Sequence, residues 1–412
     1  MFHLVDVDLF SPATQENWYP TYQHLRDEQP VYRIPGTDDF VVSRYQDIMH
    51  VLRHQSIFPT GSSRRRSLAA QQVYERGGWE RMTPLGTNPP VHRHYRALVD
   101  RYLSGPGLDQ WRPFIEQAID ELFATFERDG HVEWITQFGA RLPGMVISHL
   151  LGLPANDLDR LRAWSSAWIL PFVRRLDADE EVWVAEQVVE FYDYLTAAIA
   201  DKRSNPGDDI ITSLAQATFA DQRPLTDQEI ITIVDHLFIG GNETTTFAMA
   251  SGLWILLREA GLCDRLAGDR GRIPDFVEEV LRIESPTQGL WRAVAEDTVI
   301  NGVAIPAGST VHLRYASANR DERVFACPGD VDLDRPNSRR HMAFSLGEHH
   351  CPGAGLTRLE QALTFEAIFD RLPNPRLGVH NDFTHVPMFA MRSLRALHID
   401  FDPRPTTIKG AS

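Results

Sequence analysis

The alternation of apolar and polar residues along this chain is mostly helical. IEQAIDELFATFERDG (115–130), EEVWVAEQVVEFYDYLTAAIADKR (180–203), DQEIITIVDHLFIGGNETTTFAMASGLWILLREAG (227–261) and GLTRLEQALTFEAIFDRL (355–372) bring apolar residues back every three or four positions, which lays a stripe along a helix. Strand patterns are fewer and shorter. VYRI and FVVSR near the N-terminus, TVINGVAIPAGSTVHLRY (298–315) and LRALHIDF (394–401) carry them, and Asn301-Gly302 has the residues of a tight hairpin turn. The pattern predicts a mainly α protein with small β-sheets at its edge. No repeat or low-complexity segment divides it, so 1–412 is expected to be a single domain, with PRPTTIKGAS (403–412) as a short flexible tail.

Composition removes several function classes. An apolar fraction of 43% beside 24% charged residues suits a globular chain with a large core. The net charge of −15 argues against nucleic acid or an anionic membrane as the main partner. The N-terminal stretch has no basic region ahead of an apolar one, and no apolar run reaches the roughly 18 residues of a membrane span, so no leader and no membrane anchor are expected. Cys263, Cys327 and Cys351 are far apart and odd in number, which speaks against a disulfide framework and for a reducing cytoplasm.

Cys351 lies in FSLGEHHCPGAG (344–355), between histidines and glycines. A lone cysteine is usually an inert core residue. Here a helix begins just after it, at about Pro352, so amide donors and the helix dipole favour a thiolate, and glycines at 347, 353 and 355 let backbone approach a flat partner. Zinc bound by His349, His350 and Cys351 fails on spacing, because adjacent residues rarely close one tetrahedral site. A single thiolate suits iron in a haem.

This loop resembles that of the cytochrome P450 family, Phe-Gly-x-Gly-x-His-x-Cys-x-Gly, through Phe344, Gly347, His349, Cys351 and Gly353, with Ser345 in place of the usual glycine. Further motifs follow the family order. Glu279 and Arg282, three apart on one helix face, match its Glu-x-x-Arg pair, and 351 − 282 = 69 residues separate Arg282 from Cys351; the resemblance makes the pair structural, holding ASANRDERVFACPGDVDLDRP (316–336). FIGGNETTTFA (238–248) interrupts an apolar helix with glycines and threonines, which weaken or bend it. By resemblance a kink there makes room for oxygen, Thr244 is the alcohol beside it, and Glu243 is the acid that helps deliver protons. Gly240-Gly241 stands where the family usually has Ala-Gly and is expected to widen the groove. NPPVHRHYRALV (88–99) resembles the helix that offers His92 and Arg96 to a haem propionate; Arg292 and His349 match the other propionate contacts, and Phe344 lies against the ring.

The resemblance implies a cytochrome P450 fold, with haem b between a long kinked central helix and the helix after the cysteine loop. It implies a haem-thiolate monooxygenase that activates O2 to hydroxylate or O-dealkylate a hydrophobic small molecule: a terpenoid, an aromatic or a natural-product intermediate. Peroxide-driven, coupling or decarboxylating chemistry, and a non-catalytic haem protein, stay open beside it. Neither a cysteine cluster nor a Gly-rich nucleotide loop is present, so electrons are expected from a separate ferredoxin with an NAD(P)H-dependent reductase. Arg339, Arg340 and Arg358 flank the loop and either meet such an acidic partner or are plain surface. A monomer is expected.

Family positions that line the pocket fall on Trp79, Trp168, His236, Gly240, Leu290, Trp291, Met388 and Phe389, with Trp164 and Phe172 nearby, which suggests a snug apolar or aromatic guest. His236, two turns before Thr244 on the same side, is either a substrate contact or a satisfied buried histidine. Arg64–Arg65–Arg66 and Arg174–Arg175 are either solvated surface or a carboxylate site that would take an acidic substrate.

Overall fold

The structure, a computed structural model, describes residues 8–61, 67–79, 84–219 and 223–403. Arg64, Arg65, Arg66 and nearly all of the expected C-terminal tail lie outside the described residues. Seven helices position the site: α1 (Val91–Leu103), α2 (Leu142–Leu151), α3 (Leu158–Val173), α4 (Ala178–Ser204), α5 (Asp227–Arg258), α6 (Ile273–Glu284) and α7 (Ala354–Arg371).

Helix α5 is the axis of the molecule. Its 32 residues make a rod about 48 Å long, apolar almost all round because α2, α3, α4, α6 and α7 pack against it. It starts at a capping box. Thr226 Oγ1 accepts the N–H of Glu229, and Glu229 Oε2 accepts the N–H of Thr226. Arg223 forks onto the same carboxylate, and Tyr95 of α1 donates to it, so the start of α5 is tied to α1. The end comes at Arg258 rather than Gly261: Glu259 already has extended backbone, and Gly261 opens the next short helix.

Four strands form a sheet at one edge, in the order β1 (Val31–Arg33), β2 (Asp39–Val42), β7 (Thr310–Leu313), β4 (Leu290–Ala293). β2 and β7 run parallel; the other pairs are antiparallel, with Arg292 opposite Val311. The hairpin β5 (Thr298–Ile300) and β6 (Val303–Ile305) turns at Asn301 and Gly302, both at positive φ, as an Asn-Gly turn requires. β3 (His131–Glu133), β9 (His398–Asp400) and β8 (Arg376–Leu377) make a third sheet.

The segment between β7 and the cysteine loop is irregular, and one buried ionic knot holds it. Arg282 forks onto Glu279 at 2.7 and 2.8 Å and donates to the carbonyls of Asn319, Pro328 and Asp330. Arg335 reaches the same carboxylate at 3.0 and 3.1 Å and donates to Ala326 O. Glu279 and Arg282 are fully buried, so this is no surface ion pair. Desolvation makes such a knot expensive, and only saturation of every donor makes it tolerable. Beside it Glu278 takes Arg358 and His341. Arg358 is therefore committed inward, while Arg339 and Arg340 are exposed. No helix among the described residues is long and apolar enough to cross a membrane.

Candidate active site

A cavity of about 370 Å³ lies between α5, α7, β4 and the loop before α7. Cys351 is on its floor. The loop is closed by the Cys351 N–H donating to Phe344 O at 2.9 Å, and α7 begins at Ala354 with Gly353 as its cap. Burial pushes the Cys351 thiol up; the N–H groups of Gly353 and Ala354 and the charges of Arg96 and Arg358 oppose it. Two residues of the loop need positive φ. Gly347 takes it freely, but Ser345 holds φ of 56°, which costs a non-glycine residue roughly 1–2 kcal/mol. Its hydroxyl pairs with that of Tyr315 at 3.0 Å, a compensating contact glycine lacks.

Opposite Cys351, α5 presents His236, Gly240, Gly241, Thr244 and Thr245 to the cavity. α5 is helical through both glycines, and the missing side chain of Gly240 adds room beside Thr244. A Cβ at Gly240 would meet nothing within 4 Å. Thr244 Oγ1 donates to Gly240 O at 2.7 Å, which leaves its lone pairs free. Glu243, one residue earlier, faces α3 instead: Ser166 donates to its Oε1 at 2.9 Å. Burial raises the Glu243 pKa, with Ser166 and Arg162 opposing.

At the rim, His92 and Arg96 of α1, Arg292 of β4 and His349 of the cysteine loop converge. The two imidazoles are 4.1 Å apart, and His92 Nδ1 and His349 Nε2 are buried with no partner. Burial, then the charges of His92, Arg292 and Arg96, push His349 down to about 4. Burial and Arg96 likewise lower His92. Unpaired donors buried together in this way await an anion. The walls beneath are apolar, with Leu281, Leu356, Ala248 and Phe344. A thiol floor, an open slot at Gly240, apolar walls and donors for two carboxylates fit a haem.

The expected pocket residues separate into two groups. His236, Gly240 and Leu290 line the cavity; Trp79, Trp168, Trp291, Met388 and Phe389 do not. Trp291 alternates with Leu290 and Arg292 along β4, so it points the other way, 4.7 Å from His312 and stacked at 5.9 Å on Phe389. Phe389 is core between Phe10 and Trp18, and Met388 packs with Ile169 and Met391. Trp168 stacks on Phe172 and sets its edge on His236 at 5.6 Å. Trp79 packs against Tyr192, and Trp164 stacks on Phe191. Arg174 forks onto Glu180, and Arg175 lies over Phe10, neither at the cavity. Sequence reasoning missed the Ser345–Tyr315 pair, the lining residues Thr60, Leu85 and Thr287, and a Tyr192–Asp235–His236 chain. Only the neighbours Asp235 and His236 signalled that chain, since Tyr192 is 43 residues away.

A family model described as Cytochrome P450 matches residues 273–378. Cyclomarin C epoxidase CymV of Salinispora arenicola is 32% identical over 375 residues, 90% of this chain and 93% of that protein. Cytochrome P450 107B1 of Saccharopolyspora erythraea is 31% identical over 387 residues, 92% of this chain and 93% of that protein. Among solved structures, CYP109E1 from Bacillus megaterium in complex with testosterone has a TM-score of 0.85 at 28% identity, covering 95% of this chain and all of that one. Cytochrome P450 CREJ in complex with (4-ethylphenyl) dihydrogen phosphate has a TM-score of 0.87 at 25% identity, covering 95% of this chain and 99% of that one.

Proposed function

This chain belongs to the cytochrome P450 family of bacterial monooxygenases, and from that premise we propose that it hydroxylates or O-dealkylates a hydrophobic small molecule with a haem held by Cys351. Members of the family use haem. When bound, that group supplies the activation of O2 and the transfer of one oxygen atom to substrate. The observation that carries the assignment is that Cys351 and Thr244 line one cavity together with His92 and His349, whose buried ring nitrogens Nδ1 and Nε2 have no partner among the described residues.

In this reading each side chain has a stated task. Cys351 is the metal ligand, its negative charge held by the amides of Gly353 and Ala354. His92, Arg96, Arg292 and His349 would hold the two carboxylates, and Phe344 would give the ring an apolar neighbour. Thr244 orders a proton donor at the cavity wall, its own proton anchored on Gly240 O. Glu243 collects protons on the α3 side, and a swing of its side chain or an intervening water hands them to Thr244. An acid beside an alcohol favours O2 chemistry over a peroxide route, which has no need of proton delivery. The guest in one solved relative, testosterone, supports an apolar substrate, while the aryl phosphate in another joins an apolar ring to a charged group. We take the chain to act as one domain, since α5 packs against helices from both halves of the sequence, and a separate ferredoxin to supply electrons.

Reduced protein exposed to carbon monoxide tests the assignment. A strongly red-shifted Soret band, lost in Cys351→Ala, is expected, followed by NADH-driven product formation with a surrogate ferredoxin and reductase. A band at the position given by histidine ligation overturns it.

A further inference from the structure

Among the described residues of α5 ahead of Thr244, His236 is the polar side chain that lines the cavity, and its surroundings define what it can offer a substrate. Its Nδ1 lies 3.2 Å from both Thr232 O and Asp235 Oδ1. Both are acceptors, so Nδ1 keeps its hydrogen in either protonation state, and Nε2 is the nitrogen left for the cavity. Asp235 is buried and cannot swing away, because its other oxygen accepts the Tyr192 hydroxyl at 2.8 Å. Tyr192 is in turn braced by the edge of Trp79 at 5.0 Å. The ring itself is braced by Trp168.

We propose that His236, oriented by Asp235 and Tyr192, donates a hydrogen bond from Nε2 to a neutral carbonyl-type acceptor on the substrate, so that the cavity selects ketones, lactones, esters or amides over carboxylic acids. The inference rests on the proposed function, which makes this cavity the place of oxidation. With Nδ1–H fixed, Nε2 carries a hydrogen only when the ring is protonated. The buried Asp235 carboxylate 3.2 Å away, held by Tyr192, stabilises that form; against burial, it raises the His236 pKa. An imidazolium beside a carboxylate is a neutral pair. A neutral acceptor completes it, whereas a carboxylate would bury one negative charge too many. His236 lies eight residues before Thr244, about 12 Å along the helix. The recognised group and the oxidised atom are thus at opposite ends of an elongated substrate.

Azoles whose imidazole nitrogen binds haem iron carry a probe to this depth. In the haem-loaded protein we would titrate 1-(4-acetylphenyl)imidazole, its isopropyl counterpart of the same shape, and 4-(imidazol-1-yl)benzoate, following the Soret shift. The acetyl compound is expected to bind about tenfold tighter than the isopropyl one, with the benzoate weaker than the acetyl. The preference should shrink to within about twofold in His236→Phe and fall in Asp235→Asn. Equal binding of the acetyl and isopropyl compounds, a tightest benzoate, or a preference that survives both substitutions overturns the proposal. So does a protein with the thiolate-type carbon monoxide band that none of the azoles shifts; loss of that band would instead refute the haem-thiolate assignment.

Discussion

Gly240 shows how much one absent side chain can decide. It sits mid-helix, where glycine costs about 1 kcal/mol relative to alanine, yet a Cβ there would project into open cavity. Gly240→Ala is therefore expected to raise stability by up to about 1 kcal/mol while narrowing the space beside Thr244, so bulky ligands bind more weakly. Thermal unfolding and spin-state titration of the same protein check both halves. This widening was legible in the sequence as a Gly-Gly pair, and so was Cys351, because a motif of fixed spacing carries its own geometry. Glu243 was legible only as a residue type. Its neighbour Thr244 faces the cavity, and the next position round a helix points about 100° away, here to Ser166. The aromatic pocket was the least legible: Trp291, Phe389 and Met388 look like pocket residues by type, and only strand alternation and the packing of Trp18 and Phe10 assign them to the core.

At the scale of elements, helices α4, α5 and α7 begin and end within a few residues of the apolar periodicity, because a buried stripe and a cap leave little choice. The segment 316–336 is different. It has little regular structure, so its path depends on Arg282, which is distant in sequence from the carbonyls of Asn319 and Pro328 that it holds, on Glu279, which accepts the Asp332 N–H, and on Arg335 within the segment itself. Spacing between Glu279 and Arg282 revealed the pair; nothing in the sequence revealed Arg335 as its third member. Glu279→Gln leaves two buried guanidinium groups without their shared counter-charge and should cost about 3–5 kcal/mol. A loss of less than about 1 kcal/mol, read from the urea midpoint and slope, would show that the knot is dispensable. Arg282→Lys should fail similarly, since an ammonium cannot make the two parallel bonds to Glu279.

Over the whole molecule, acid is the condition that finds these buried ionic sites together. Arg223 and Tyr95 hold Glu229 near 2 despite burial, and His341 and Arg358 do the same for Glu278, against an ordinary value of 4.5. Each folded value lies below the unfolded one. The stabilisation they give is thus present above about pH 4.5 and is lost as pH falls toward 2, up to about 3 kcal/mol for Glu278 and less for Glu229, whose exposed partner Arg223 is screened by solvent. His149, lowered from 6.5 by burial against Phe114, adds an earlier and shallower decline that begins near pH 6.5. Urea midpoints taken between pH 5 and 3 should fall steeply below 4.5 as Glu229 and Glu278 take up protons. A flat profile down to pH 3 would contradict the buried ion pairs of Glu229 and Glu278.

Strand β4 also works as a ruler. Leu290 and Arg292 meet the cavity because their strand is locked opposite Leu313 and Val311, with Trp291 locked into the aromatic core between them. Inserting or deleting one residue there would exchange the two faces, sending the arginine into the tryptophan's apolar seat and the indole to the rim. The hairpin of β5 and β6 a few residues later, with its exposed turn, carries no such index. A residue inserted at the hairpin tip should therefore be tolerated, whereas one inserted within β4 should abolish haem binding.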